Sequence, residues 1–343
     1  MRYPAFLKDN GTIGLVAPSF GCADEPYKSC MDAAVLRFEN MGYKLVEGPN
    51  CRKNDGIGIS STPENCGKEL TDYYVSSDND MLIACGGGEL MCETLDYVDF
   101  DAIKSAKPKW YMGYSDNTNF TFLLNTICDT ASIYGPSIGA FGQEDLHQAL
   151  IDTIDVFTGK KQRVTGYDSF EIESLKDEEH PFVSYNLTEK KELRLFMGEA
   201  EVNRLPEFKG IITGGCLDCL ANLVGTKYDN VAAFNEKYKE VIWFVEACEL
   251  NTMSIRRALW NLDRAGWFKN AAGFIIGRPL AAWKQDLMGL DQYKAVTAIL
   301  GKYGKPIVMD ADVGHLAPAM PIISGAYATV TADANIAIDF TLK

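Results

Sequence analysis

Short apolar runs alternate with stretches of helical periodicity through the first 130 residues, and this rhythm confines the chain to few folds. Residues 11–18 (Gly-Thr-Ile-Gly-Leu-Val-Ala-Pro) read as a buried strand ending in a loop. Across 27–41, Met31, Ala34, Val35, Phe38 and Met41 fall on one face of a helix. Residues 43–46 read as a second strand and 63–75 as a helix. A strand at 81–85 runs into Gly86-Gly87-Gly88, followed by a helix at 89–96, a strand at 109–112 and a helix at 117–128. Such alternation predicts a mostly parallel sheet with helices on both faces.

The rhythm breaks at about 160–208, where the chain turns polar and mixed in charge, as in Lys176-Asp177-Glu178-Glu179-His180-Pro181. A chain of 343 residues implies roughly two domains. We therefore expect one domain over 1–160, a linker over 161–208 and a second domain over 209–343. In that second part, strands are expected near 209–212, 241–245, 272–276 and 306–309. Helices are expected up to Leu223 and over 252–266 and 290–302. Residues 326–342 alternate like two antiparallel strands around a turn at Asp333-Ala334-Asn335.

Composition removes several function classes. The formal net charge of −14 opposes broad binding to nucleic acid or to an anionic membrane, both of which favour a basic face. No run of about 18 apolar residues is present, so no transmembrane helix is read. The first apolar run, 13–17, is too short for a secretory core, so a cytoplasmic protein is expected. In that reducing setting the ten scattered cysteines read as buried small hydrophobes. Cys216-Leu217-Asp218-Cys219 lacks the two further ligands a zinc site needs, and a redox pair there is the minor alternative to two thiols on a helix's first turn.

The sharpest chemical feature is Gly113-Tyr114-Ser115-Asp116-Asn117, where an apolar strand meets a helix through Gly-x-Ser. That is the layout of a nucleophile elbow, with free helix N–H groups behind the hydroxyl. Asn117 stands where the second glycine is usual, and Asn tolerates left-handed backbone better than most residues. The plainer alternative is a serine N-cap. A serine nucleophile needs a base and an orienting carboxylate. Of the three histidines, His147 opens a polar helix and His180 lies in the charged stretch. His315 follows a buried strand in a Gly- and Pro-containing loop, where catalytic groups tend to be placed, or it is satisfied by Asp312. Glu246 ends an apolar strand, and Glu249, Asp310 and Asp312 compete with it. Gly86-Gly87-Gly88 could cradle a phosphate or an oxyanion, but lacks the G-x-G-x-x-G and P-loop patterns.

In order and spacing these pieces resemble the serine carboxypeptidase family of L,D-carboxypeptidases and microcin C immunity proteins, over nearly the whole chain. The resemblance is carried by Ile13-Gly14-Leu15-Val16-Ala17-Pro18-Ser19 and by the glycine stretch leading to residues 95–103. Gly113-Tyr114-Ser115-Asp116-Asn117-Thr118 and Tyr134-Gly135-Pro136 extend it. Gly214-Gly215, Phe244-Val245-Glu246, residues 273–277 and the His315 loop complete it. It implies an α/β protein with a flavodoxin-like N-terminal domain carrying a parallel sheet and a smaller C-terminal α/β domain of different topology. It implies a Ser115–Glu246–His315 triad, with an oxyanion hole from the backbone of Asp116 and the Gly87-Gly88 turn. It further implies a homodimer with its site between the domains and no metal or organic cofactor. The substrate would be a small peptide, losing a terminal D-Ala from a muropeptide, or a peptidyl or aminoacyl nucleotide. Two departures stand out. The family's base-stacking tryptophan has no counterpart between Trp110 and Trp243, leaving Phe170, Phe182 and Tyr185, and Cys216 replaces the Asn that often follows Gly-Gly. A non-catalytic phosphate- or nucleotide-binding module is the alternative from another class.

Overall fold

The computed structural model describes residues 1–342 and divides the chain into two compact units. The first comprises Met1–Lys161 and Glu173–Asn186, the second Gln162–Ile172 and Leu187–Lys343. The polar stretch at 161–208 is thus shared between them.

The first unit contains strands β1 (Thr12–Val16), β2 (Lys44–Glu47), β3 (Met81–Ala84), β4 (Trp110–Gly113) and β5 (Ser132–Tyr134). They pair in parallel in the order β2-β1-β3-β4-β5. This is the flavodoxin-like order, in which ligands are bound beyond the carboxyl ends of the strands. Helix Pro63–Val75 starts cleanly: Thr62 accepts the N–H of Asn65 at 3.2 Å, and Pro63 occupies the first turn, where no N–H is missed. Its Leu70 and Tyr74 join Val16, Leu82, Ala84, Tyr111 and, from helix Thr118–Thr126, Phe120 and Leu124 in one fully buried cluster. Helix Tyr27–Asn40 buries Met31, Ala34 and Phe38 as its periodicity requires, with Val35 half-buried, whereas Met41, expected on the same face, caps the helix end and is exposed. Phe38 packs edge-on to Phe141 and against Phe157 of helix Gln148–Phe157.

The second unit is built on a nine-stranded mixed sheet. Its strands are β6 (Arg163–Thr165), β7 (Arg194–Met197), β8 (Ala200–Val202), β9 (Phe208–Cys216), β10 (Val241–Glu246), β11 (Ala271–Gly277), β12 (Pro306–Ala311), β13 (Tyr327–Ala332) and β14 (Ile336–Thr341). The order is β8-β7-β12-β11-β10-β9-β13-β14-β6. β9 to β12 form a parallel centre, with every β10 residue buried, and antiparallel strands flank it on both sides. The expected hairpin near the end is present, with β13 and β14 paired in full register. Helices Thr252–Arg264 and Gln292–Leu300 are capped by Asn251 and Asp291, which accept N–H groups at 2.9 and 2.7 Å. The carboxyl ends of the four central strands bring together Cys216, Glu246, Arg278 and the 310–318 loop.

Candidate active site

In the first unit β4 delivers the chain to a sharp corner. Ser115 has φ 61°, in the left-handed region. A non-glycine residue there costs about 1–3 kcal/mol and persists only where its surroundings hold it. Those surroundings are explicit. The Ser115 N–H donates to the Tyr134 hydroxyl at 3.1 Å. Asn117 Nδ2 donates to Gly86 O at 2.8 Å and to Tyr114 O at 3.1 Å, while its Oδ1 accepts from the Tyr111 hydroxyl. Gly113 makes room, since a Cβ there would sit 2.8 Å from Asn117 Cβ. The left-handed residue is therefore the serine. Asn117, expected to take that role, has φ −63° and instead braces the turn through its amide. Nor is Ser115 an N-cap: it is the first residue of a short 3₁₀ turn, Ser115–Asn117, with Asp116 and Asn117 buried behind it.

The glycine loop after β3 lies against this corner. A Cβ on Gly87 would fall 3.1 Å from Ser115 Cβ and 3.3 Å from its Oγ, so only glycine leaves the hydroxyl its space. Asp116 braces the same region through its side chain. Its Oδ2 accepts from Ser19 Oγ at 2.5 Å and from the Met91 N–H at 2.8 Å, and its Oδ1 from Asn119 Nδ2 at 2.9 Å. A buried carboxylate held by three donors is a fixed element. It ties together the segments that follow β1, β3 and β4 and leaves the Asp116 contribution to chemistry to its backbone.

In the second unit Glu246 is the last residue of β10 and 1% exposed. Its Oε2 lies 2.8 Å from Nδ1 of His315, whose side chain is 12% exposed. With Nδ1–H donating to the carboxylate, Nε2 carries the lone pair that a general base uses. The rival carboxylates are engaged elsewhere. Asp310 accepts from Gln292 Nε2 at 2.9 Å and from the Tyr293 hydroxyl at 2.7 Å, and burial raises its pKa above the ordinary aspartate value. Asp312 pairs with Arg278 and Lys191, so it does not satisfy His315. Glu249 is exposed.

Close packing keeps Glu246 and His315 together. Gly314 has φ 105°, and a Cβ on it would fall 2.5 Å from Glu246 Oε2. Gly314→Ala is therefore expected to push the loop off the carboxylate, costing about 1–3 kcal/mol of stability. A displacement on the order of 1 Å is enough to lower turnover by about 10²-fold. Thermal melts and steady-state kinetics on the purified variant check both, and wild-type turnover would refute the packing argument.

Two family models match the chain, the LD-carboxypeptidase N-terminal domain over residues 13–135 and the LD-carboxypeptidase C-terminal domain over 209–330. The chain belongs to the LD-carboxypeptidase family, peptidase family S66. The first matched region contains Ser115 and the glycine loop, the second Glu246 and His315. A Streptomyces coelicolor protein whose carboxypeptidase name is itself provisional is 23% identical, over 96% of this chain and 93% of its own. An MccF-like protein from Bacillus anthracis has the same fold, with a TM-score of 0.82 at 21% identity over 99% of this chain and 100% of its own. The microcin C7 self-immunity protein MccF in complex with aspartyl sulfamoyl adenosine gives 0.80 at 21% identity, over 99% and 98%. An MccF-like protein from Streptococcus pneumoniae in complex with AMP gives 0.79 at 22% identity, over 96% and 98%.

The remaining candidates of this LD-carboxypeptidase family member resolve locally. Cys216 and Cys219 flank the start of helix Leu217–Leu223. Both are buried, and the Cys216 thiol is pushed well above its ordinary pKa, first by its hydrogen bond with Cys219 and then by burial. That disfavours the thiolate that redox chemistry needs. Among the described residues no group of three or more His, Cys, Asp or Glu side chains could hold a metal ion, and no helix is long and apolar enough to cross a membrane. His147 caps helix Gln148–Phe157, accepting the Ala149 N–H at 3.1 Å, and His180 is exposed beside Asp177. Phe170 cannot stack on a ligand, because it is 2% exposed and lies under Arg278. Sequence reasoning missed Tyr134, Ser19 and Arg278. Tyr134 and Ser19 each had a signal, since they stand in the Tyr134-Gly135-Pro136 motif at the end of β5 and, just after β1, in the Ile13–Ser19 motif.

Proposed function

We propose that this protein is a serine-type hydrolase that cleaves an amide bond of a small peptide or peptide conjugate. The observation that carries this reading is Ser115 held at φ 61° on a strand-to-helix corner facing Gly87, since such strain is retained where a side chain must be presented. The contact between Glu246 and His315 supports it. In this mechanism Nε2 of His315 takes the hydroxyl proton as Ser115 Oγ attacks the amide carbonyl. The oxyanion is received by the N–H of Asp116 and one from the Gly87-Gly88 turn; each such donor is typically worth about 10²–10³ in rate. His315 then gives the proton to the leaving amine, and water, deprotonated by the same ring, releases the acyl group. Glu246 keeps the ring in the productive tautomer and stabilises it when charged. The mechanism requires Ser115 Oγ and His315 Nε2 to come within hydrogen-bond reach.

For the substrate, the first reading is the terminal D-Ala of a muropeptide tetrapeptide, in keeping with the family's carboxypeptidase description. The second is an aminoacyl or peptidyl nucleotide, favoured by the aspartyl sulfamoyl adenosine and glutamyl sulfamoyl guanosine bound by MccF. We further propose, on the resemblance alone, a cytoplasmic homodimer. The deciding assay offers the wild-type protein both substrates. D-alanine release assigns wall-peptide trimming, and release of the sulfamoyl nucleoside assigns nucleotide-conjugate cleavage. Release from neither, at enzyme concentrations approaching those of substrate, overturns the hydrolase reading.

A further inference from the structure

The 310–318 loop that carries His315 is gripped by a buried charge network that no step of the reaction above uses. Arg278, directly after β11, is 1% exposed. Its Nη1 donates to Asp310 O at 3.0 Å and its Nη2 to Leu316 O at 3.2 Å. The guanidinium thus bridges the start of the loop and the residue following His315. Nη1 also lies 2.7 Å from Asp312 Oδ1, and the guanidinium carbon stands 4.2 Å over the Phe170 ring. Phe170 is in turn fixed edge-on against Trp283.

The other oxygen of Asp312 faces the connecting segment. Oδ2 accepts the Tyr167 N–H at 2.8 Å and Lys191 Nζ at 3.0 Å, and Lys191 also reaches Asn335 Oδ1 at 2.6 Å. Asn335 returns a bond to Gly166 O at 3.0 Å. There is no slack here: a Cβ on Gly166 would fall within 2.5 Å of Lys191 Nζ, Asn335 Oδ1 and Asp312 Oδ2. Asp312 is wholly buried and Lys191 9% exposed. Buried ion pairs of this kind seldom raise stability over apolar packing, so fixing one conformation is the better account of them.

We propose that Arg278 and Asp312 are positioning residues for His315, and that Lys191, together with Gly166 and Tyr167, belongs to the apparatus that aims the base. The proposal rests on the triad reading given above. Without Arg278 the carbonyls of Asp310 and Leu316 lose their shared donor, and the imidazole can turn away from Glu246. Lysine in its place keeps the charge but not the planar fork that spans both carbonyls.

The test uses the full-length protein and two readouts. A fluorophosphonate probe labels an activated serine, and the downfield proton of His315 Nδ1–H reports the bond to Glu246 without any substrate. With only three histidines in the chain, that proton is readily assigned. Arg278→Ala is expected to slow labelling by about 10²-fold, the usual consequence of misplacing a catalytic group by about 1 Å. Half-saturation by the probe should not change, added guanidinium should restore part of the rate, and Arg278→Lys should remain slow. The His315 proton should shift or broaden. Lys191→Met, which meets the loop only at Asp312 and touches neither Arg278 nor His315, should slow labelling by a smaller factor and move the same proton. A lowered melting temperature with rate and proton both as in wild type overturns the proposal. If Arg278→Ala does not fold, Lys191→Met decides by the same criteria. If the wild type is not labelled, the triad reading fails by itself, and the proton still decides whether Arg278 governs the contact between His315 and Glu246.

Discussion

Ser115→Ala is expected to lower hydrolysis of the assigned substrate by about 10⁴-fold or more, because removing a serine nucleophile leaves only binding and oxyanion stabilisation. The fold should barely notice. Ser115 N–H still reaches the Tyr134 hydroxyl, and alanine carries the same backbone cost as serine at φ 61°. The melting temperature should therefore stay within the range of a neutral substitution, about 0.5 kcal/mol either way. Substrate binding should survive, so isothermal titration with the uncleaved substrate should return an affinity close to the wild-type KM. Activity within tenfold of wild type would remove Ser115 from the mechanism. Lost activity together with lost binding would mean that the corner shapes the site and does no chemistry.

Glu246→Gln should be nearly as severe, about 10⁴-fold in kcat, with little change in KM. The substitution keeps the volume of a side chain that is 1% exposed. It replaces an acceptor-only carboxylate with an amide whose NH₂ can face His315 Nδ1. That orientation favours the tautomer with the proton on Nε2, where it blocks the transfer from Ser115. The defect should ease as pH rises and hydroxide competes as base, whereas Ser115→Ala should be flat with pH. A Glu246→Gln enzyme with wild-type kcat would assign the orienting role elsewhere, and Asp310 and Asp312 are too fully engaged to assume it.

Much of this architecture was legible in the residues because the periodicities are strong. The pattern at Met31, Ala34 and Phe38 yields a helix at Tyr27–Asn40 with those three buried, and the apolar run at 241–245 yields a central strand. What escaped lies where periodicity is short or masked. The helix Val231–Lys237 has seven residues, too few for two turns of pattern. β7 and β8 sit in a stretch rich in charge because they close one side of the sheet, where polar residues are usual. At the site, the residue types were readable but not their conformations. Asn117 was the natural candidate for a left-handed backbone. It takes a right-handed one because its amide is needed to bridge Gly86 and Tyr114, and the strain falls on Ser115. The choice among Glu246, Glu249, Asp310 and Asp312 needed distances, since all four lie at or just beyond the carboxyl end of a buried strand. Arg278 left no signal, for an arginine after a strand is by default a surface residue.

The path of the chain between its two units has a consequence for synthesis. Strand β6 at Arg163–Thr165 pairs with β14 at Ile336–Thr341, and Arg163 bonds to Asp339, 176 residues away. At translation speeds of about 5–20 residues per second, β6 waits roughly 10–35 s for its partner to emerge from the ribosome. The five parallel strands of the first unit, β1 to β5, have all been made by Tyr134, so they can begin to pair while the second unit is still being translated. The exposed β6 edge is three residues long with arginine and threonine facing outward, too short and too polar to recruit a neighbouring nascent chain. The order of manufacture and the modesty of that waiting strand fit each other: the piece that must stay longest without a partner is the one least able to find a wrong one.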